Sequence, residues 1–246
     1  MLQLRVADGI HRAQDADTNW YVIEDGSRLT VVDAGVPTSW ASLRELLGAL
    51  GRRVQDVEAI VLTHAHFDHV GFAERLRRGA GIPVYLHRAD ETLAYAPMAY
   101  AHERSRLWYL PRPKAMPIVA RLLRARAFFP PPLAEVQLFD DGDVLPVPGA
   151  PAVLATPGHT DGHCALHLPE RGVLLAGDAV VTLDPYTGRR GPRLVARAAT
   201  ADSARAQQSL ERIAASGAGT VLMGHGEPWS DGSEALASQA ASAGSA

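Results

Sequence analysis

Apolar residues in the first 35 positions fall in short runs separated by turn residues, which predicts strands. Trp20 to Ile23 and Leu29 to Val32 flank Glu24-Asp25-Gly26-Ser27, a hairpin signal. After Asp33-Ala34-Gly35 the period changes. Trp40, Leu43, Leu46, Leu47 and Leu50 recur at helical spacing, so residues 39–50 are expected to form a helix with Ser39 as N-cap and Gly51 as stop. Ala59 to Leu62 reads as a buried strand, Val70 to Arg78 as a helix ending at Gly79, and Pro83 to Leu86 as another strand.

Residues 88–130 break this rhythm with helical pieces cut by Pro97, Pro111, Pro113, Pro117 and Pro130 to Pro132. Strands return at Val144 to Val147, Ala152 to Thr156, His163 to Leu168 and Val173 to Ala176. A helix over Asp202 to Ala215 precedes a last strand, Thr220 to Met223. The expected organisation is one domain over residues 1–232, with 88–130 as a helical insertion and possible substrate lid. An Ala/Ser/Gly-rich tail, 233–246, is expected to be poorly ordered at its end. Two strand-rich segments around a helical insertion point to two sheets with helices outside.

Composition narrows the function. At 246 residues and 47% hydrophobic, the chain can bury a sizeable core. A net charge of -3 argues against a nucleic-acid partner. Cys164 is the sole cysteine, which excludes an intramolecular disulfide and a thiolate-rich metal site. Placed on a strand face opposite His163 and His167, it reads as a core residue. No secretory pattern opens the sequence and no apolar run approaches the ~18 residues of a membrane span. A cytoplasmic protein with no membrane partner is the expectation, and the pattern fixes no oligomeric state.

The chemistry lies in four stretches, VLTHAHFDH, LATPGH, LLAGD and VLMGH, each an apolar strand ending in His or Asp beside a turn. Ligands presented from strand ends on a rigid sheet are what a precise site requires. His64 and His66 are two apart, so in an extended segment they point the same way and can share one ion. Asp68 and His69 lie where the chain turns toward the next helix and can serve a second. His159, Asp178 and His225 each add one ligand from a distant part of the chain. Imidazoles and carboxylates without thiolate favour zinc and permit iron or manganese. The histidines His11, His87, His102, His163 and His167 show no such layout.

The series THAHFDH, TPGHT, AGD and GHG, in this order and from about Asn19 to Trp229, resembles the metallo-β-lactamase superfamily, specifically its glyoxalase II-like branch. That resemblance implies a four-layer αββα sandwich of α/β class with the site at one edge between the sheets. It also implies that His64, His66 and His159 hold one metal, that Asp68, His69 and His225 hold another, and that Asp178 bridges both. A hydroxide generated there would attack an electrophilic carbonyl, with Asp68 as the catalytic group that orients it and passes a proton to the leaving group. Ester, thioester or lactone hydrolysis is the reaction expected. The alternatives are a mononuclear iron persulfide dioxygenase, which uses two His and one Asp for its metal, and an RNase Z-like phosphodiesterase.

The partner is a small-molecule substrate. Residues 88–130 hold Tyr95, Tyr100, Trp108, Tyr109, Phe128 and Phe129 together with Arg104, Arg106, Arg112, Lys114, Arg121, Arg124 and Arg126. Such an insertion would suit an acyl, anionic substrate as a lid, or would simply pack its aromatics and solvate its arginines. Trp108 and Tyr109 are candidate substrate contacts. Tyr186, in the loop after Asp178, is a third, as a hydrogen-bond donor to a developing oxyanion.

Overall fold

The computed structural model describes residues 1–109 and 113–245; Pro111 and Arg112 of the insertion, and the last residue of the tail, lie outside the described residues. Alternating apolar positions build a seven-stranded sheet in the spatial order β1 (Leu2–Ala7), β2 (Ile10–Asp15), β3 (Thr18–Asp25), β4 (Arg28–Val32), β5 (Val57–Val61), β6 (Val84–His87) and β7 (Gln137–Phe139). The first four strands form an antiparallel meander. From β4 onward pairing is parallel, because α1 (Ser39–Ala49) and α2 (Ala73–Ala80) carry the chain back between strands.

The strand period decides which side chains meet which layer. Trp20, Val22, Leu29, Val31 and Ile60 pack against Leu43, Leu46 and Leu47 of α1 and Leu76 of α2. Their neighbours Tyr21, Ile23, Val32, Ala59 and Val61 point the other way, into a core shared with Cys164, Leu166, Leu175 and Leu222. Those residues belong to a second sheet, ordered β13 (Thr220–Met223), β10 (Val173–Gly177), β9 (Cys164–Leu168) and β8 (Ala152–Ala155). Its outer face, with Ala165, Leu174, Val221 and Met223, packs on α5 (Ser203–Ala215) and α6 (Ser233–Ala243) through Leu210, Ile213, Leu236 and Ala240. Helix, sheet, sheet and helix follow one another, the αββα sandwich expected. A two-stranded ribbon, β11 (Val181–Leu183) with β12 (Arg190–Arg193), stands apart from both sheets.

The insertion holds α3 (Glu91–Tyr95), a 3-10 turn at Arg106–Tyr109 and α4 (Met116–Arg124). Ile118 and Leu122 of α4 pack with Phe67, Tyr100, Val181, Leu183 and Val195, so the insertion is fastened over the loop that follows β5. Three sequence expectations shift. Val144 to Val147 is no strand and contributes one bridge, Val144 with Ala152. Pro146 and Pro148 lack the amide a ladder needs, although Leu145 and Val147 are still buried between the sheets. The helix expected from Val70 starts at Ala73 and ends at Gly81, whose left-handed φ of 70° makes it the cap in place of Gly79. The Ala/Ser/Gly-rich segment read as a tail beyond the domain is helical through Ala243, with Leu236, Ala237 and Ala240 buried. Among the described residues no helix is long and apolar enough to cross a membrane.

Candidate metal centre

Strands β8, β10 and β13 run in one direction, so the loops beyond them, with His159, Asp178 and His225, open on the same edge. The loop after β5 brings His64, His66, Asp68 and His69 to that edge from the other sheet. All seven residues are buried. The rings of His64 and His66 lie 4.7 Å apart, His64 and His159 4.9 Å, and His66 and His159 4.5 Å. On the other side, His225 Nε2 stands 3.4 Å from Asp68 Oδ2 and 3.3 Å from Asp178 Oδ2. Asp178 sits between the two groups, 3.4 Å from His159 Nε2 and 3.7 Å from His69 Nε2. Ligand atoms of His64, His66 and His159, of His64, His69 and Asp178, and of Asp68, His69 and His225 each fall within 4.8 Å of one another.

Hydrogen bonding around these rings fixes which nitrogen faces the centre. Thr63 Oγ1 donates its only proton to Asp33, so its lone pair accepts from His64 Nδ1 at 3.0 Å and leaves His64 Nε2 free. His69 Nδ1 donates to Asp33 Oδ2 at 3.0 Å, and His225 Nδ1 to the Asp17 carbonyl at 2.8 Å. Nε2 of His64, His66, His69 and His159, together with Asp178 Oδ1, is buried with no hydrogen-bond partner. Five converging polar atoms without partners would be costly in a closed core. His64 and His69, each anchored through Nδ1 with Nε2 bare, show the arrangement metal-ligating histidines adopt, whereas His159 has neither nitrogen bonded. The donor set therefore fits divalent cations.

Charge follows the same division. Burial, reinforced by adjacent imidazoles, keeps His64 and His159 neutral well below their ordinary range, and it pushes His66 down to about 3. Burial opposes protonation of His69 as well, yet Asp178, Asp33 and Asp68 together outweigh it and raise that ring to about 9. His225 is likewise raised by Asp178 and Asp68 against the effect of burial. Asp178 and Asp68 stay ionised: burial disfavours their charge, but the facing imidazoles more than offset it. Without metal, one half of the centre is a neutral imidazole cluster and the other a network of charged pairs.

Sequence reasoning missed a surrounding layer of supports. Asp33, with a left-handed φ of 60°, clamps both Thr63 and His69. His163 accepts from the Asp178 amide through Nε2 at 2.9 Å, so its Nδ1 carries the proton toward Thr156 Oγ1 at 2.8 Å. Asp90 accepts from Thr160 Oγ1 and the Gly162 amide, both at 2.7 Å, and from the Ala65 amide at 3.2 Å, tying the His66 loop to the His159 loop. Cys164 is a buried core residue.

Above the centre lies a chamber of about 280 Å³. Its floor is His66, Asp68, His159, Asp178 and His225, and its walls are mainly apolar, with Phe67 and Phe128 facing Val119, Leu122 and Val195. Of the candidate substrate contacts, Tyr109 and Tyr186 line it, whereas Trp108 stands outside the lining and is 63% exposed. Its place is taken by Tyr100, whose ring lies 4.3 Å from that of His66 and whose hydroxyl is 2.8 Å from that of Tyr186.

The chain is similar to known proteins in sequence and in fold. The sequence profile of the metallo-beta-lactamase superfamily matches residues 14–225, and the chain belongs to that superfamily. It is 30% identical over 240 residues to the probable metallo-hydrolase YflN of Bacillus subtilis, which covers 90% of this chain and 85% of that protein. The crystal structure of metallo-beta-lactamase family protein TTHA1429 from Thermus thermophilus superposes with a TM-score of 0.70 at 29% identity, covering 96% of this chain and 79% of that one. TTHA1623, solved in a di-iron-bound form, gives a TM-score of 0.65 at 28% identity over 91% of this chain and 95% of the other.

Proposed function

We propose that this chain is a dinuclear metal-dependent hydrolase of the glyoxalase II-like branch, cleaving an ester, thioester or lactone in the chamber above its metal centre. The observation that carries this reading is the set of unpartnered Nε2 and Oδ1 atoms, of which those of His66, His159 and Asp178 belong to residues of the chamber floor. His64, His66 and His159 would hold one ion, Asp68, His69 and His225 the other, and Asp178 would bridge. Zinc is the proposed ion, with iron or manganese as alternatives; the di-iron form of TTHA1623 supports iron. A largely apolar wall supports an acyl group as the occupant.

When bound, two divalent cations supply activation of water at neutral pH and polarisation of a carbonyl. The chain's own groups do the rest. Asp68, kept ionised and held by Thr18 Oγ1 at 3.2 Å, orients the attacking water, takes its proton and passes it to the leaving group. Tyr100 and Tyr186 keep their phenolic protons, because burial raises both above the ordinary tyrosine range. Whichever of the two accepts in their mutual bond has its own O–H left for a substrate oxygen. The apolar walls exclude bulk water from this exchange.

The test is metal quantification combined with a panel of acyl thioesters, lactones, aryl esters and phosphodiesters on one sample. About two ions per chain with turnover of acyl substrates is expected. One iron per chain with oxygen uptake, or turnover of phosphodiesters alone, would remove the proposal. Asp68→Ala is expected to lower kcat by about a hundredfold or more while the protein stays folded.

A further inference from the structure

Among the described residues, Arg106 is the one arginine or lysine that lines the chamber. Its Nε is buried without a hydrogen-bond partner, and among the described residues no carboxylate pairs with its guanidinium. Arg121 of the same insertion, by contrast, pairs with Asp17 at 2.5 Å. Arg106 instead rests against the Tyr100 ring, 4.4 Å from its centroid, and that same ring is 4.3 Å from His66. The guanidinium thus stands two contacts from the floor of the centre, in a wall that is otherwise apolar or phenolic. Its buried Nε–H lacks a hydrogen bond that an incoming anion would supply.

We propose that Arg106 is the recognition site for a carboxylate on the substrate, so that the preferred substrates are acyl compounds carrying a carboxylate apart from the scissile carbonyl. This rests on the hydrolase reading above. A carboxylate fits better than a phosphate for two reasons. One guanidinium neutralises one negative charge, whereas a dianion would leave the surplus in an apolar wall beside Asp68 and Asp178. The planar donor fork also matches the two oxygens of a carboxylate. The apolar remainder of the chamber would take the chain between the two ends.

The experiment compares aryl half-esters of linear dicarboxylic acids with the same compounds capped as methyl esters, using metal-loaded wild type, Arg106→Gln and Arg106→Lys. The wild type is expected to favour the half-ester. Arg106→Gln should raise KM for it by about tenfold or more, with kcat little changed and the capped ester unaffected, and Arg106→Lys should restore part of the preference. Equal losses on both esters would mean that Arg106 only props Tyr100, and the proposal falls. Binding is read separately by calorimetry, with uncleaved anilide analogues of the two compounds on the same metal-loaded proteins. Tighter binding of the carboxylate form, lost in Arg106→Gln, supports the inference even if no ester is turned over and the hydrolase reading fails. Equal binding of both forms, or no binding by the wild type, overturns it.

Discussion

Gly224 shows how little freedom single residues have around the centre. A Cβ at this position would collide with Asp178 Oδ1 and come within 2.8 Å of the His69 ring. Gly224→Ala must therefore displace one of two ligands in a core that cannot absorb the shift. The expected outcome is a folded protein with less than one full complement of metal, read by elemental analysis beside circular dichroism; full occupancy would show that the loop can yield. The seven residues that the fold gathers at the centre were legible in the sequence, because each sits in a short motif at the end of an apolar run. Their supports were not. Asp33 acts on Thr63 and His69 across 30 and 36 residues, and Asp90 reaches Thr160 and Gly162 across 70 and 72. Nothing local to Asp33 or Asp90 marks them, since their role exists only once two loops are brought together. His163 was set aside for the same reason: alone before β9, it shows no ligand spacing, and its bond to the Asp178 amide is made by the fold.

At the level of elements, periodicity carried the strands and long helices, and failed where two signals competed. Val144 to Val147 has strand-like side chains and a backbone that Pro146 and Pro148 prevent from pairing. Residues 233–243 posed the opposite case. Their Ala/Ser content looks like low complexity, yet alanine is the strongest helix former, and Leu236, Ala237 and Ala240 form a narrow apolar stripe. That stripe docks against α5 and the outer face of the second sheet, so α6 completes the fourth layer. Leu236 is wholly buried, and Leu236→Ala is expected to cost about 2–5 kcal/mol of stability from lost burial and the cavity left behind. Chemical denaturation would read this as a lower midpoint. Metal content should be unchanged, because α6 touches none of the seven ligands. A loss below about 0.5 kcal/mol would mean the helix is a dispensable cover.

The whole molecule couples its stability to protons through the centre, and metal decides the sign on the alkaline side. In the metal-free protein two sets of buried groups pull in opposite directions. His66, at about 3, and His163, at about 4, are harder to protonate when folded than the ordinary value of 6.5. Below that value the unfolded chain binds more protons, so stability falls as pH drops. His69, raised to about 9, and His225, also raised, behave in reverse. Their ion pairs contribute fully below the unfolded value of 6.5, and that contribution is lost as pH rises through about 9. Metal-free protein should thus have its highest Tm near pH 6.5, the ordinary imidazole value, with a fall on either side. Cations would take the place of the protons on His69 and His225, since only neutral imidazoles ligate. Loading with metal should therefore abolish the fall between pH 6.5 and 9, raise Tm throughout that range, and release protons that calorimetry in buffers of different ionisation enthalpy would count. A metal-free Tm that climbs steadily from pH 6.5 to 9 would show that His69 and His225 are not held as cations by Asp33, Asp68 and Asp178.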